Sequence, residues 1–305
     1  SDYVWSSTGE LDLVRADKNP GLTRIYFHDN RAAPDEITGT AEALAENHLH
    51  FDIINEDVLI GHLPDYRLLI VPEQFRLRED VIRAIREFVA GGGSLLATGA
   101  TVRAGLEDVL GVELEETDRE ADHVHLGGCL VSVPTVFRVR PIGADVETRY
   151  QKSGCPAVTV HQFREGQAVY IAADLMGRYE EGSPLSRRWE KDAALPRKWF
   201  GQLFRQLLPR DPLLVDASPW VSIYLRTRGD DRLVHVVDRA ADWRKNARAG
   251  QTQRIAIDMQ YPSKPQSVLL QPGAEEPSWQ WQSGRLRVRL SVDQIQLHRI
   301  VEVLR

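Results

Sequence analysis

The residues best placed for chemistry lie at the ends of apolar runs. Leu22–Phe27, Tyr66–Val71 and Ser94–Thr98 each read as a buried strand. Each run stops at polar residues: His28 and Asp29 after the first, Glu73 after the second, and Thr98, Gly99, Thr101 and Arg103 at the third. Open α/β sheets bind ligands beyond the carboxyl ends of their strands, so these residues form one candidate rim for a small molecule. Solvated loops or a subunit contact suit the same residue types. The strand-to-helix turn Leu96-Ala97-Thr98-Gly99-Ala100 is also a place where a cysteine activated by histidine would attack an amide. It holds threonine and glycine instead. A threonine hydroxyl is far less acidic than a thiol and has no identifiable base here, so the turn reads as structural and no catalytic residue is assigned.

Other reactive types are sparse. Cys129 and Cys155 are the only cysteines and cannot form a C-x-x-C motif; they read as buried thiols, with their mutual contact left open. His123 and His125 alternate on a predicted strand and share a face, as do His48 and His50 if that segment is extended. No third ligand stands at diagnostic spacing, so no metal and no cofactor is expected. Trp279 and Trp281 share a strand face, which suits either stacking on a sugar ring or filling a core or interdomain seam. Carbohydrate is therefore one candidate partner. Arg187, Arg188 and Trp189 lie in the polar stretch Ser183–Lys198, a mixture common at interfaces and equally suited to a solvated loop.

The elements that would position these residues follow from periodicity. Pro34-Asp35 leads into Ile37, Ala41, Leu44, Ala45 and His48, which line one helix face, and Phe51–Ile54 reads as a strand. The clearest helix carries Val81, Ile82, Ile85, Phe88 and Val89 and stops at Gly91-Gly92-Gly93. Those glycines follow a helix and lead into a strand, the reverse of a phosphate loop. Strands alternating with helices predict a doubly wound, flavodoxin-like parallel sheet, because parallel neighbours need long crossovers. Val131–Val139, Ala157–Gln162 and Ala168–Ala173 either extend that sheet or form a flap, and a helix over Arg197–Leu208 closes the domain. The acidic stretch Glu113–Asp122 reads as a solvated loop.

Pro209-Arg210-Asp211-Pro212 opposes both helix and central-strand pairing, which divides the chain into an α/β domain over 1–210 and a second domain over 211–305. In the second, seven strands are predicted at Val221–Arg226, Leu233–Asp238, Arg254–Met259, Gln266–Leu270, Trp279–Gln282, Leu286–Ser291 and Leu297–Val303. With hairpin turns at Arg228–Asp231 and Gln282–Gly284, they make a small antiparallel β-sandwich.

A net charge of −6 over 305 residues gives no basis for broad attraction to nucleic acid or an anionic membrane. No apolar run approaches the roughly 20 residues of a membrane span, and Ser1–Asn19 lacks a signal-peptide segment. A cytoplasmic location is the expectation. The start at serine points to processing or trimming.

The run from Ala43 through the Thr98-Gly99 turn, with "ALAENHLHFDIINEDVL" and "YRLLIVPEQFRLREDVIRAIREFVAGGGSLLATG", resembles the class I glutamine-amidotransferase-like trimerisation domain of bacterial family 42 β-galactosidases and related glycoside hydrolases. "VTVHQFREGQAVYIAADLMGRY", "RLVHVVDRA" and "LHRIVEVL" are similar to the segments that follow it there, where a β-sandwich ends the chain. The resemblance implies a region for assembly, as a homo-oligomer or with a glycosidase barrel, without glutaminase chemistry. The barrel of such enzymes needs about 250 residues and carries the two catalytic carboxylates. No eight strand–helix units fit here, so neither carboxylate is assigned and the barrel is expected upstream or on another chain. The alternative is a free-standing carbohydrate-binding protein or hydrolase that uses the strand-end rim.

Overall fold

In a computed structural model of the chain, residues 34–118, 121–176, 197–208, 213–219, 221–238, 254–291 and 298–305 are described. The expected first strand Leu22–Phe27 lies outside them. The chain divides into two compact units, Ser1–Thr40 with Asp52–Leu208, and Ala41–Phe51 with Pro209–Arg305.

Helix α1 (Pro34–Glu46) begins in the first unit and ends in the second. Phe51–Ile54 is not a strand: no ladder partner lies beside it among the described residues, and Ile53 is exposed. Asn55 instead caps helix α2 (Glu56–His62), its Oδ1 accepting the Val58 N–H at 3.0 Å. Strand β1 (Leu68–Pro72) follows, then helix α3 (Glu79–Ala90) and strand β2 (Ser94–Thr98). The helical period buries Val81, Ile85 and Val89 completely, and burial of each such side chain stabilises the fold by roughly 1.5–3 kcal/mol. The helix ends as its glycines predict, with Gly93 N–H donating to Phe88 O at 3.0 Å.

A short 3-10 helix (Gly99–Ala104) and helix α4 (Glu107–Leu110) lead to β3 (Val112–Asp118), β4 (Asp122–Leu126), β5 (Cys129–Val133) and β6 (Val136–Pro141). The single piece expected over Val131–Val139 is therefore two strands, broken at Pro134. Strands β7 (Asp145–Arg149), β8 (Pro156–Phe163) and β9 (Gly166–Ile171), then helix α5 (Arg197–Leu207), complete the described part of this unit. The main sheet has the order β1-β2-β9-β8-β7. Neighbours β1, β2 and β9 pair in parallel, whereas β8, joined to β9 by a two-residue hairpin, runs antiparallel to both its neighbours, β9 and the edge strand β7. The sheet is mixed rather than wholly parallel.

Residues 113–118 lie in β3 and Asp122 opens β4, so these parts of the acidic stretch are strand and not loop. β3 pairs with β6, where arginines spaced two apart answer the carboxylates: Arg140 reaches Glu113 and, at 3.7 Å, Glu115, and Arg138 lies 3.7 Å from Glu116. Asp122 is buried. Burial opposes its ionisation, but the N–H groups of Lys152, His123 and Ser153 at 2.7–2.9 Å prevail and hold its pKa at about 2. Neither cysteine is in a disulfide and both are only half-buried, which corrects the buried-thiol expectation. Cys129 opens β5 in the two-stranded β4–β5 hairpin, and Cys155 stands in the loop before β8.

The second unit is a β-sandwich of two four-stranded antiparallel sheets. One has the order β10-β13-β16-β15, from β10 (Leu213–Asp216), β13 (Arg254–Gln260), β16 (Arg285–Ser291) and β15 (Ser278–Gln282). The other is β11-β12-β17-β14, from β11 (Val221–Arg228), β12 (Asp231–Asp238), β17 (His298–Leu304) and β14 (Ser267–Gln271). All seven expected strands are present; β10 is an eighth, missed because Leu213–Asp216 follows the breaking prolines at once. Period-two alternation builds one core from both sheets. In β16, Leu286, Val288 and Leu290 are buried while Arg285 and Arg287 turn outward to Asp258 at 2.6 and 2.8 Å. Among the described residues no helix is long and apolar enough to cross a membrane.

Two outcomes are expected. A Cβ at Gly166 would stand 2.1 Å from Val89 O and 2.3 Å from Gly93 O, so Gly166→Ala should cost about 3 kcal/mol in a urea titration by forcing the β8–β9 hairpin off the end of α3. Asp122→Asn should cost about 2 kcal/mol at neutral pH, since it weakens charge-assisted bonds. The native carboxyl has a pKa below its unfolded value, so its contribution is complete above about 4 and fades as pH falls towards about 2; thermal unfolding scans of both proteins across that window should converge.

Candidate functional site

The rim at the strand ends is built by register. Parallel pairing sets Pro72 opposite Thr98, so Glu73 and Gly99 leave the sheet side by side. Ladder bonding stops there, and side chains complete it. The Glu73 N–H donates to Thr98 Oγ1 at 3.2 Å, and the Gln74 N–H donates to Thr101 Oγ1 at 3.0 Å. Thr101 Oγ1 in turn donates to Val71 O at 3.0 Å. Both hydroxyls are fully buried and spent on backbone groups, which removes them as nucleophiles.

Glu73 has a backbone φ of 54°, in the left-handed region that a non-glycine residue adopts at a cost. Its side chain is buried. Oε2 accepts the Ala100 N–H at 3.1 Å, while Oε1 has no partner among the described residues. Gly99 has a φ of 43°, and a Cβ there would lie 1.3 Å from Glu73 Oε1. The carboxyl thus fills the space into which a side chain at 99 would project. Tyr170 donates its hydroxyl to Gly99 O at 2.7 Å and fixes the turn from β9.

Burial, and then the negative charge of Asp174, raise the Glu73 pKa to about 8 against the opposing pull of the Ala100 N–H and Arg103. The carboxyl is therefore mostly neutral at pH 7. The exposed Arg103 stands at the border of this cluster, with its guanidinium 5.9 Å from the Phe137 ring centroid on β6 and hydrogen-bonded to the Thr117 hydroxyl on β3.

Glu73, Thr98, Gly99 and Thr101 are thus brought together, with Arg103 beside them. His28 and Asp29, and the interface candidates Arg187, Arg188 and Trp189, lie outside the described residues. The sequence reading missed Asp174 and Tyr170. Asp174 follows the predicted strand ending at Ala173, so the same strand-end logic would have found it; Tyr170 lies within its strand and carries no such signal.

The other candidates resolve differently. His123 and His125 do share an exposed face of β4, where Gln151 Nε2 approaches His125 Nε2 at 2.8 Å. His48 and His50 share no strand face, because His48 has a φ of 59° in a turn and its Nε2 lies 3.0 Å from Ala217 O. No group of three or more metal-ligating side chains is present among the described residues. Trp279 and Trp281 share one face of β15, half-buried and packed against the sandwich core, with Trp281 Nε1 donating to Tyr261 O at 3.0 Å.

Gly99→Ala should lose about 3 kcal/mol or more, combining a left-handed φ with displacement of the carboxyl. Adding Glu73→Ala should recover part of that loss in a double-mutant cycle by urea unfolding, and Gly99→Cys should show no glutamine hydrolysis.

Comparison with known proteins gives this geometry a context. The sequence profile described as the β-galactosidase trimerisation domain matches residues 32–195. β-Galactosidase GanA of Bacillus subtilis (strain 168) is 27% identical over 215 residues, covering 58% of this chain and 31% of that protein. β-Galactosidase GalA of Bacillus licheniformis is 24% identical over 228 residues, covering 67% of this chain and 31% of that protein. The chain therefore spans less than a third of the length of these curated relatives. Among solved structures, Gan42B, a GH42 β-galactosidase from G. stearothermophilus, superposes with a TM-score of 0.64 at 21% identity, over 91% of this chain and 37% of that one. The α-L-fucosidase isoenzyme 2 of Paenibacillus thiaminolyticus gives a TM-score of 0.67 at 16% identity, over 91% and 46%. These structural likenesses concern the fold. With more than half of its residues matched by the profile, the chain belongs to the β-galactosidase trimerisation domain family.

Proposed function

We propose that this chain is the non-catalytic assembly region of a family 42 β-galactosidase-type protein, holding copies of that protein together and packing beside its glycosidase barrel. The observation that carries the reading is the closed strand-end rim. Thr98 and Thr101 are committed to backbone bonds, and the room above Gly99 is filled by Glu73. That position is where a nucleophile on this kind of turn would need space, and here it offers neither a reactive group nor an opening. The family match supports assembly as the retained role.

On this reading the α/β part, over 1–210, is a flavodoxin-like, amidotransferase-derived domain. The parallel pairing of β1, β2 and β9 supports it, as does β1 standing at the end of the described sheet with one edge free among the described residues. The sandwich over 211–305 is then an accessory domain. Arg187, Arg188 and Trp189 have the composition of a subunit contact and are the residues to substitute first when mapping the interface.

Sedimentation of the chain should give the mass of an oligomer, with a trimer as the expected state, rather than that of a 34.5 kDa monomer. A strictly monomeric chain that also shows no affinity for a separately produced barrel domain would remove the proposal.

A further inference from the structure

The Glu73 carboxyl does something that assembly alone does not require. A glutamine or a small residue would fill the same rim without placing an ionisable group in it. Here a buried carboxyl sits on a left-handed backbone, one oxygen pressed against the Gly99 backbone without a partner, the other fastened to the Ala100 N–H. The groups that face it come from each side of the cluster: Asp174 beyond the end of β9, Tyr170 within β9, and Arg103 in the 3-10 helix. Only Arg103 is a cation, and it is engaged with Phe137 and Thr117.

A neutral carboxyl tolerates this seat. A carboxylate does not, because Oε1 would be a charged oxygen without a hydrogen bond and with a second carboxylate nearby. Its way out is rotation of the Glu73 side chain towards water. That movement breaks the bond to Ala100 N–H and frees the space that holds the turn at Gly99.

We propose that Glu73 is a protonation latch: its neutral form locks the 3-10 helix Gly99–Ala104 onto the end of β1, and its ionisation releases that helix together with the β3–β6 ribbon that Arg103 holds. The sign follows from the direction of the shift. The closed form binds its proton more tightly than the open one, so the lock is complete below the ordinary glutamate pKa of 4.5 and weakens progressively as pH rises to about 8.

Hydrogen exchange of the full chain, corrected for the intrinsic pH dependence of amide exchange, tests this. Between about pH 5 and about pH 8.5 the opening of peptides spanning 99–104, 112–118 and 136–141 should rise by about 100-fold or more, since one linked proton contributes about tenfold per pH unit. Peptides from β13 and β16 should keep a flat profile. Glu73→Gln should flatten the rise at the rim, and Asp174→Asn should move the point where the rise ends to lower pH, because removing a like charge eases ionisation. Coincident profiles for the native chain and Glu73→Gln would overturn the latch. Should Glu73→Gln not fold, the Asp174→Asn profile decides: a shift to lower pH supports the latch, and an unchanged one refutes it. Neither readout depends on the oligomeric state, so the latch can fail while the assembly reading stands.

Discussion

Two parallel strands that end in register leave backbone donors and acceptors which no further ladder can satisfy, and much of the first unit is arranged around that constraint. At the ends of β1 and β2, Thr98 and Thr101 act as short bridges between the strands, and the Glu73 carboxyl closes the remaining gap by taking the Ala100 N–H. Buried polar groups are costly unless paired, so side chains here are held in service of the backbone. A turn in this state cannot also present a nucleophile. The volume beside Gly99 and the hydrogen bonds at this turn are thus taken up by Glu73, Thr98 and Thr101.

The rest of the first unit keeps that turn in place from outside. Tyr170 holds the Gly99 carbonyl from β9, and β9 is positioned by its parallel register with β2 and by the hairpin to β8. That hairpin approaches the end of α3 so closely that position 166 has no room for a side chain. On the other side, Arg103 ties the 3-10 helix to the β3–β6 ribbon. Strain at Glu73 persists because neighbouring elements over-determine it.

The β-sandwich is a simpler solution. Its strands alternate apolar and polar residues, one face of each sheet supplies the core, and Asp258 with Arg285 and Arg287 lines an outer face. The Trp279 and Trp281 rings pack against that core, where their apolar bodies contribute area while their indole N–H groups reach acceptors at the margin.

What the sequence alone determined is whatever a local period encodes. Helix α3 and the strands of the sandwich were legible because each repeats its apolar residues at the spacing of its own backbone. The rim could be placed too, since polar residues cluster where apolar runs stop. Long-range pairing lay beyond that reading. Glu113–Asp118 looked like a solvated loop because its charges have no local partner; the answering arginines stand on β6, more than twenty residues later. Phe51–Ile54 was apolar enough for a strand, yet no strand lies beside it among the described residues. Trp279 and Trp281 plainly shared a face, but only packing decides which side of a sheet becomes the core. The same holds for Glu73. Its type and place were visible in the chain, whereas its burial, its neutral state and its claim on the space above Gly99 arise only when parallel register brings Pro72 beside Thr98.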